Sequence, residues 1–124
     1  MSGTSGTSYQ RGRWAESLAL EYLLAQGLTL LTKNYHARCG EIDLIMQEAD
    51  TIVFFEVRYR ADNLYMNALE TIDAKKCVRI INTSQRYLQA HRGASGKICR
   101  FDVMIIHGSA DRPGIRWIKN AFQA

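Results

Sequence analysis

Two short apolar segments with acids set inside them constrain this chain more than anything else in it. The first is Gly40-Glu41-Ile42-Asp43-Leu44-Ile45 and the second is Val53-Phe54-Phe55-Glu56-Val57-Arg58. Both have the length and the β-branched and aromatic content of buried strands. Only a short turn at Glu48-Ala49-Asp50 separates them, so they are expected to be antiparallel neighbours. A carboxylate in such a strand is costly unless it is paired or holds a cation. Two of them side by side therefore point to structural ion pairs or to a divalent-cation site.

The remaining elements follow from periodicity. Ala15, Leu18, Ala19, Tyr22 and Leu23 recur at helical spacing within Tyr9 to Gln26, and Gly27 is a suitable stop. Leu28 to Tyr35 reads as a strand, and Glu41 to Gln47 and Thr51 to Arg58 follow it as a hairpin. Tyr59 to Thr71 reads as a loop with a helical turn, starting beside the acids, where substrate contacts often lie. Asp73 is a good N-cap for a helix reaching about Ala90, with Cys77, Ile80, Ile81, Ser84, Tyr87 and Leu88 inward. Lys97 to His107 is a strongly apolar strand, Asp111 to Gly114 a turn, and Ile115 to Lys119 a last short strand. The fold class is therefore α/β, a mixed sheet of about five strands flanked by helices in the order α-β-β-β-α-β-β. The long helix supplies the crossover that a parallel strand pair requires. The 124 residues suit one domain over 9–124, with Met1 to Ser8 expected to be a flexible leader or a remnant of an expression tag.

Composition removes several function classes. No apolar run approaches the ~20 residues that cross a bilayer, and no secretory pattern opens the chain, so no membrane role is expected. Cys39, Cys77 and Cys99 are odd in number and none sits at Cys-x-x-Cys spacing. A disulfide framework and a zinc site are both disfavoured, and a reducing cytoplasm is the expected location. His36, His91 and His107 are too scattered to form a ligand cluster. The net charge of +4 permits a nucleic-acid partner without requiring one.

Strand alternation puts Glu41, Asp43 and Ile45 on one face, opposite Ile42, Leu44 and Met46. On the next strand Phe54, Glu56 and Arg58 share a face, opposite Val53, Phe55 and Val57. If Asp43 and Glu56 point to the same side, Mg²⁺ or Mn²⁺ could bridge them, with the Val57 carbonyl as a third oxygen ligand. Glu16 on the first helix could add a further carboxylate, directly or through water. Such a site suits phosphodiester hydrolysis, because the metal acidifies bound water and neutralises the phosphate. Arg58 can grip a phosphate but cannot serve as a base. The competing expectation is that Arg58, Arg38 or Arg100 merely neutralises these acids. Glu41 is read as an ion-pair or hydrogen-bonding residue, and Asp102 as the same-face structural partner of Arg100. Lys75, Arg79 and Arg86 lie near one helical stripe and would either engage phosphates or be a solvated face. Trp14, Tyr59 and Tyr65 receive no base-stacking role.

The run from Gly40 to Ile45 with Phe54-Phe55-Glu56-Val57-Arg58-Tyr59-Arg60 resembles the YraN family of small bacterial proteins. The likeness extends from Gly12-Arg13-Trp14-Ala15-Glu16 through Arg100-Phe101-Asp102-Val103 to Asn120-Ala121-Phe122. That family is similar to the restriction-endonuclease-like superfamily, including Holliday junction resolvases. The resemblance implies a restriction-endonuclease-like core whose active-site pattern is an Asp, then Glu/Asp-x-Lys on the next strand, often with a helix Glu. Mapped here, these are Asp43, Glu56 and Glu16, with Arg58 where the lysine stands. A lysine can lose its proton or position water, whereas Arg58 offers only charge and geometry.

The first functional expectation is a divalent-metal-dependent nuclease cutting DNA, with branched or processed DNA as its substrate. In it Asp43, Glu56 and Val57 hold Mg²⁺ or Mn²⁺, Glu16 assists, Arg58 stabilises the transition state, and Lys75, Arg79 and Arg86 hold the backbone. The alternative is a non-catalytic nucleic-acid-binding protein that keeps the fold, which Arg58 favours. A third is a scaffold that binds no nucleic acid. The resemblance to junction-cutting proteins also admits a homodimer.

Overall fold

The computed structural model describes residues 8–60, 72–94 and 96–124. Helix α1 (Ser8–Ala25) leads into strands β1 (Thr29–Ala37), β2 (Gly40–Glu48) and β3 (Thr51–Arg60). Helix α2 (Ala74–Ala90) and a short 3₁₀ turn then lead to β4 (Ile98–Gly108) and β5 (Pro113–Phe122). The five strands form one sheet in chain order. Neighbours are antiparallel except β3 and β4, which run parallel and are joined through α2. This is the mixed α/β architecture expected from the sequence. Ser8 already belongs to α1, and Tyr59 and Arg60 extend β3. Residues 61–71, including Tyr65, lie outside the described residues.

Among the described residues each face of the sheet is covered by one long helix, and a smaller cluster of Val103 and Ile105 lies against Ile118 and Phe122. On one face Ala15, Ala19 and Leu23 of α1 are buried against Met46, Phe55 and Met104. On the other, Ile80 and Tyr87 of α2 are buried against Ile45, Ile52, Phe54 and Phe101. The adjacent rings of Phe54 and Phe55 thus serve opposite cores, and each stabilises the fold by about 1.5–3 kcal/mol. Asp73 caps α2 by accepting from the Lys76 N–H at 2.9 Å, worth about 1 kcal/mol. Thr83 and Ser84 face inward and donate their hydroxyls to the carbonyls of Arg79 and Ile81, so neither is buried without a partner.

Two elements depart from the periodic reading. Ile42 packs with Ile45 on the α2 face, although strict alternation places it with Leu44 and Met46. The chain therefore breaks alternation at Asp43. Strand β5 is also longer than the Ile115–Lys119 expected, beginning at Pro113 itself. A proline is tolerated at the start of an edge strand, where its missing N–H leaves no ladder bond unmade. The far end of β5 is bulged. Phe122 pairs with Phe101 and Ile118 with Val103, so three residues oppose Asp102, and Asn120 takes a positive φ of 53°.

Asp102 explains that bulge. It is fully buried and accepts Arg100 in two-pronged fashion at 2.9 Å, the Trp117 indole N–H at 2.8 Å and the Asn120 N–H at 2.9 Å. Arg100 also donates to Glu48 at 3.0 Å. The structural Arg100–Asp102 pair expected from the sequence is thus present, and it ties β4 to β5. Removing one partner of a buried, fully bonded pair costs about 3–5 kcal/mol, whereas an exposed pair is worth under about 1 kcal/mol. Asp102→Ala is expected to lower unfolding stability by the larger amount and Glu48→Ala by the smaller, as measured by urea denaturation. Equal losses would contradict this assignment.

Candidate functional site

The hairpin ladder sets the geometry. Pairing between β2 and β3 runs from Glu48–Thr51 to Leu44–Phe55 and stops there. The next inward-facing N–H on β3, that of Val57, has no main-chain partner on β2. It donates instead to Asp43 Oδ2 at 2.8 Å. The Asp43 side chain thus stands in for a ladder bond exactly where alternation fails, and the two strands part around it. On a strand, a residue's N–H and C=O face the same neighbour, so the Val57 carbonyl faces this opening too.

Glu56 arrives from β3 on the α2 face and is 6% exposed. Two cations meet its Oε2: Arg58 Nε at 3.1 Å and Lys76 Nζ of α2 at 3.5 Å. The Arg58 contact is close but misaligned, and its buried Nε–H makes no hydrogen bond. Asp43 and Glu56 are neighbours. Burial first, then the charge on Glu56, raises the Asp43 carboxyl from 3.8 to about 7, and hydrogen bonding between the two carboxyls adds to the rise. The Val57 N–H and the Lys76 ammonium oppose it. Like charges in one site favour keeping a proton between them.

Glu16 approaches from α1. Burial, and next the charge on Asp43, raises its carboxyl above the ordinary range, while Asn34 donates a hydrogen bond that opposes the rise. Asn34 reaches it from a positive φ of 52° in β1. Asp43 therefore stands between Glu16 on one side of the sheet and Glu56 on the other. Among the described residues no three His, Cys, Asp or Glu side chains converge as a ligand set. The arrangement is two adjacent carboxylates, a carbonyl edge and an outer acid. That is a hard-oxygen donor set of the kind Mg²⁺ or Mn²⁺ uses, since such ions keep several waters and take one or two carboxylates. A cation would relieve the repulsion that holds a proton on Asp43.

The expected phosphate contacts divide. Arg79 lines a cleft of about 530 Å³ between the β1–β2 turn and α2, together with Arg38, Gly40 and Lys76. A second cleft of about 630 Å³ is lined by Arg38, Arg86 and Tyr35. Lys75 lies apart, beside Val78 on the outer side of α2, where it shares a patch with Arg79. The turn seats tightly because Gly40 has no side chain: a Cβ there would meet Thr83 Oγ1 at 3.1 Å at a φ of +153°. Arg38, which the sequence suggested only as a neutralising partner, thus joins the basic cleft. Lys76 is the residue the sequence did not single out. Its signal is its i, i+4 spacing to the buried Ile80, which puts it on the inward side of α2 rather than along the Lys75 stripe. Glu41 Oε2 lies 3.1 Å from His36 Nδ1 at the exposed end of the β1–β2 hairpin. Trp14 and Tyr59 pack edge-to-face at 5.5 Å, and Tyr59 donates to the Gly108 carbonyl.

Comparison with known proteins matches residues 15–106 to the family model of Uncharacterised protein family UPF0102. A "UPF0102 protein" of Stutzerimonas stutzeri (strain A1501) is 44% identical over 117 residues, covering 94% of this chain and 98% of that protein. The counterpart in Methylococcus capsulatus is 46% identical over 113 residues, covering 91% of this chain and 90% of its own. That of Chromohalobacter salexigens is 42% identical over 124 residues, covering all of this chain and 99% of its own.

The Asp43 proton makes stability depend on pH. Its carboxyl holds the proton more tightly folded (about 7) than at its ordinary value of 3.8, so the folded state binds more protons in between. That contribution is complete below about pH 3.8 and is lost as pH rises through about 7. Asp43→Asn keeps an oxygen for the Val57 N–H and removes the titration. Thermal melts across this range should show the variant gaining on the wild type as pH rises. An unchanged difference would count against a neutral Asp43.

Proposed function

We propose that this chain, which belongs to Uncharacterised protein family UPF0102, is a divalent-cation-dependent phosphodiesterase with a restriction-endonuclease-like core, acting on nucleic acid and on DNA in the first instance. One observation carries the reading: Asp43 and Glu56 meet where β2 and β3 part, beside a cleft lined by Arg38 and Arg79. Mg²⁺ or Mn²⁺, when bound, would supply acidified water and charge neutralisation. Asp43, Glu56 and the Val57 carbonyl would hold it, with Glu16 acting through water. Arg58 would turn its unused Nε–H onto a non-bridging phosphate oxygen. Arg38, Arg79 and Arg86 would hold the backbone along the turn and α2, with Lys75 at the margin. Hydrolysis adds one water across a P–O ester bond. Its oxygen joins phosphorus, one hydrogen ends on the departing sugar hydroxyl, and the other leaves the new phosphomonoester as a proton.

The same reading places the protein in the reducing cytoplasm, in keeping with three free cysteines. No helix among the described residues is long and apolar enough to cross a membrane. A homodimer is the assembly that would let it cut two strands of a branched substrate.

A second reading, a nucleic-acid-binding protein without catalysis, is favoured by the two cations already on Glu56. Calorimetry with Mn²⁺ and a cleavage panel on single-stranded, duplex and branched DNA separates the two. The wild type is expected to bind Mn²⁺ and cut at least one substrate, and Asp43→Ala to lose the binding and about 10²-fold or more of the rate. DNA binding without metal binding or cleavage would favour the second reading, and no retardation at low salt would remove both.

A further inference from the structure

Strands β1 and β2 turn over on the same rung. On β2, Ile42 faces α2 and Leu44 faces α1. Their partners on β1 divide in the same way. Tyr35, opposite Ile42, packs with the α2 core, while Lys33, opposite Leu44, borders a cavity under α1 with Glu16. Residues two apart on a regular strand share a face, so each strand reverses at the residue between. On β2 that residue is Asp43, and on β1 it is Asn34.

Asn34 makes its reversal with a φ of 52°. Glycine takes such a φ without steric cost, and asparagine is among the few other residues that tolerate it. The reversal alone would therefore be met by glycine. What asparagine adds is an amide, and this one donates to the Glu16 carboxylate on α1. Arg13, one turn earlier on α1, draws the same carboxylate by its charge, from within the helix. The amide is what ties the helix acid to the rung that Asp43 occupies. The cavity bordered by Glu16, Asn34 and Leu44 measures about 40 Å³, enough for a bridging water. A comparable device serves Asp102, where Asn120 at a φ of 53° sets its main-chain N–H 2.9 Å from the buried acid. At Asn34 the side chain does the pointing.

We propose that Asn34 is a positioning residue: its amide fixes the Glu16 carboxylate beside Asp43, so that Glu16 meets the water shell of the bound cation. This rests on the phosphodiesterase reading above, in which Asp43, Glu56 and the Val57 carbonyl hold the ion and Glu16 acts through water. A glutamate on a helix surface has several rotamers, and holding it in one beforehand removes that ordering cost from cation binding. Outer partners of metal sites act in this way, by orienting the groups that face the ion.

Four proteins test it: the wild type, Asn34→Gly, Glu16→Gln and the double variant. Mn²⁺ affinity is read by calorimetry, and thermal melts are taken without metal. Asn34→Gly keeps the backbone conformation and removes the amide. It is expected to melt within about 4 °C of the wild type and to bind Mn²⁺ about tenfold more weakly. Glu16→Gln should weaken binding by a similar factor. Adding Asn34→Gly to it should change the affinity by less than about twofold, because the two residues act as one unit. A role in the backbone alone gives the opposite pattern, with Asn34→Gly binding Mn²⁺ as the wild type does. That result overturns the proposal, as does an unchanged affinity in Glu16→Gln. A further loss of about tenfold in the double variant, or a fall of more than about 10 °C in the melting of Asn34→Gly, overturns it too. A wild type without Mn²⁺ affinity overturns the cation reading itself, and the role of Asn34 with it.

Discussion

The hydrogen bond from the Val57 N–H to the Asp43 carboxylate is the interaction on which the site depends. A hairpin satisfies its own backbone by continuing the ladder, and this one stops at Leu44–Phe55. Leaving the Val57 N–H unmet in a partly buried place would cost about 1–3 kcal/mol. Asp43 meets it from the side, and this allows the strands to part without an orphaned donor. The same bond holds the Asp43 carboxylate beside Glu56, next to the point where Ile42 turns onto the α2 face.

Electrostatics then decides what the opening can accept. Asp43 sits between Glu16 and Glu56, and burial with neighbouring negative charge keeps its proton on to about pH 7. Glu56 is met by Arg58 and Lys76. The centre thus sets two adjacent carboxyls, one of them resisting ionisation, against the two cations Arg58 and Lys76. Sheet packing does not need this tension, because the apolar clusters among the described residues close without these side chains.

Asp102 is the useful contrast. It too is an acid in an apolar strand, yet it is completely met by Arg100, Trp117 and Asn120. All its acceptor positions are used inside the protein, with no edge left toward a cleft. Asp43 receives one main-chain donor and a like-charged neighbour. Asp102, with saturated bonding, is a fastening, whereas Asp43 has one main-chain donor and shares its surroundings with a second carboxyl that repels its charge.

Much of the fold was legible in the residues. The helical spacing of Ala15, Ala19 and Leu23, the turn after Glu48, and Asp73 as the start of α2 are local signals, and local signals set element type and order. The parallel pairing of β3 and β4 followed because only a long crossover can join parallel strands. The pairing of Asp43 with Glu56 and of Arg100 with Asp102 was also within reach, since strand spacing fixes same-face neighbours. What alternation could not show is a departure from alternation: the turn of Ile42, the bulge at Lys119 to Ala121, and the positive φ of Asn34 each answer a contact made by a distant residue. Lys76 and Arg38 reach the site only because α2 and the β1–β2 turn are packed beside the parting strands. The sequence by itself determined the elements, their order and the acids. Tertiary structure decided which cations meet those acids, because charge acts through space between elements that the chain order does not bring together.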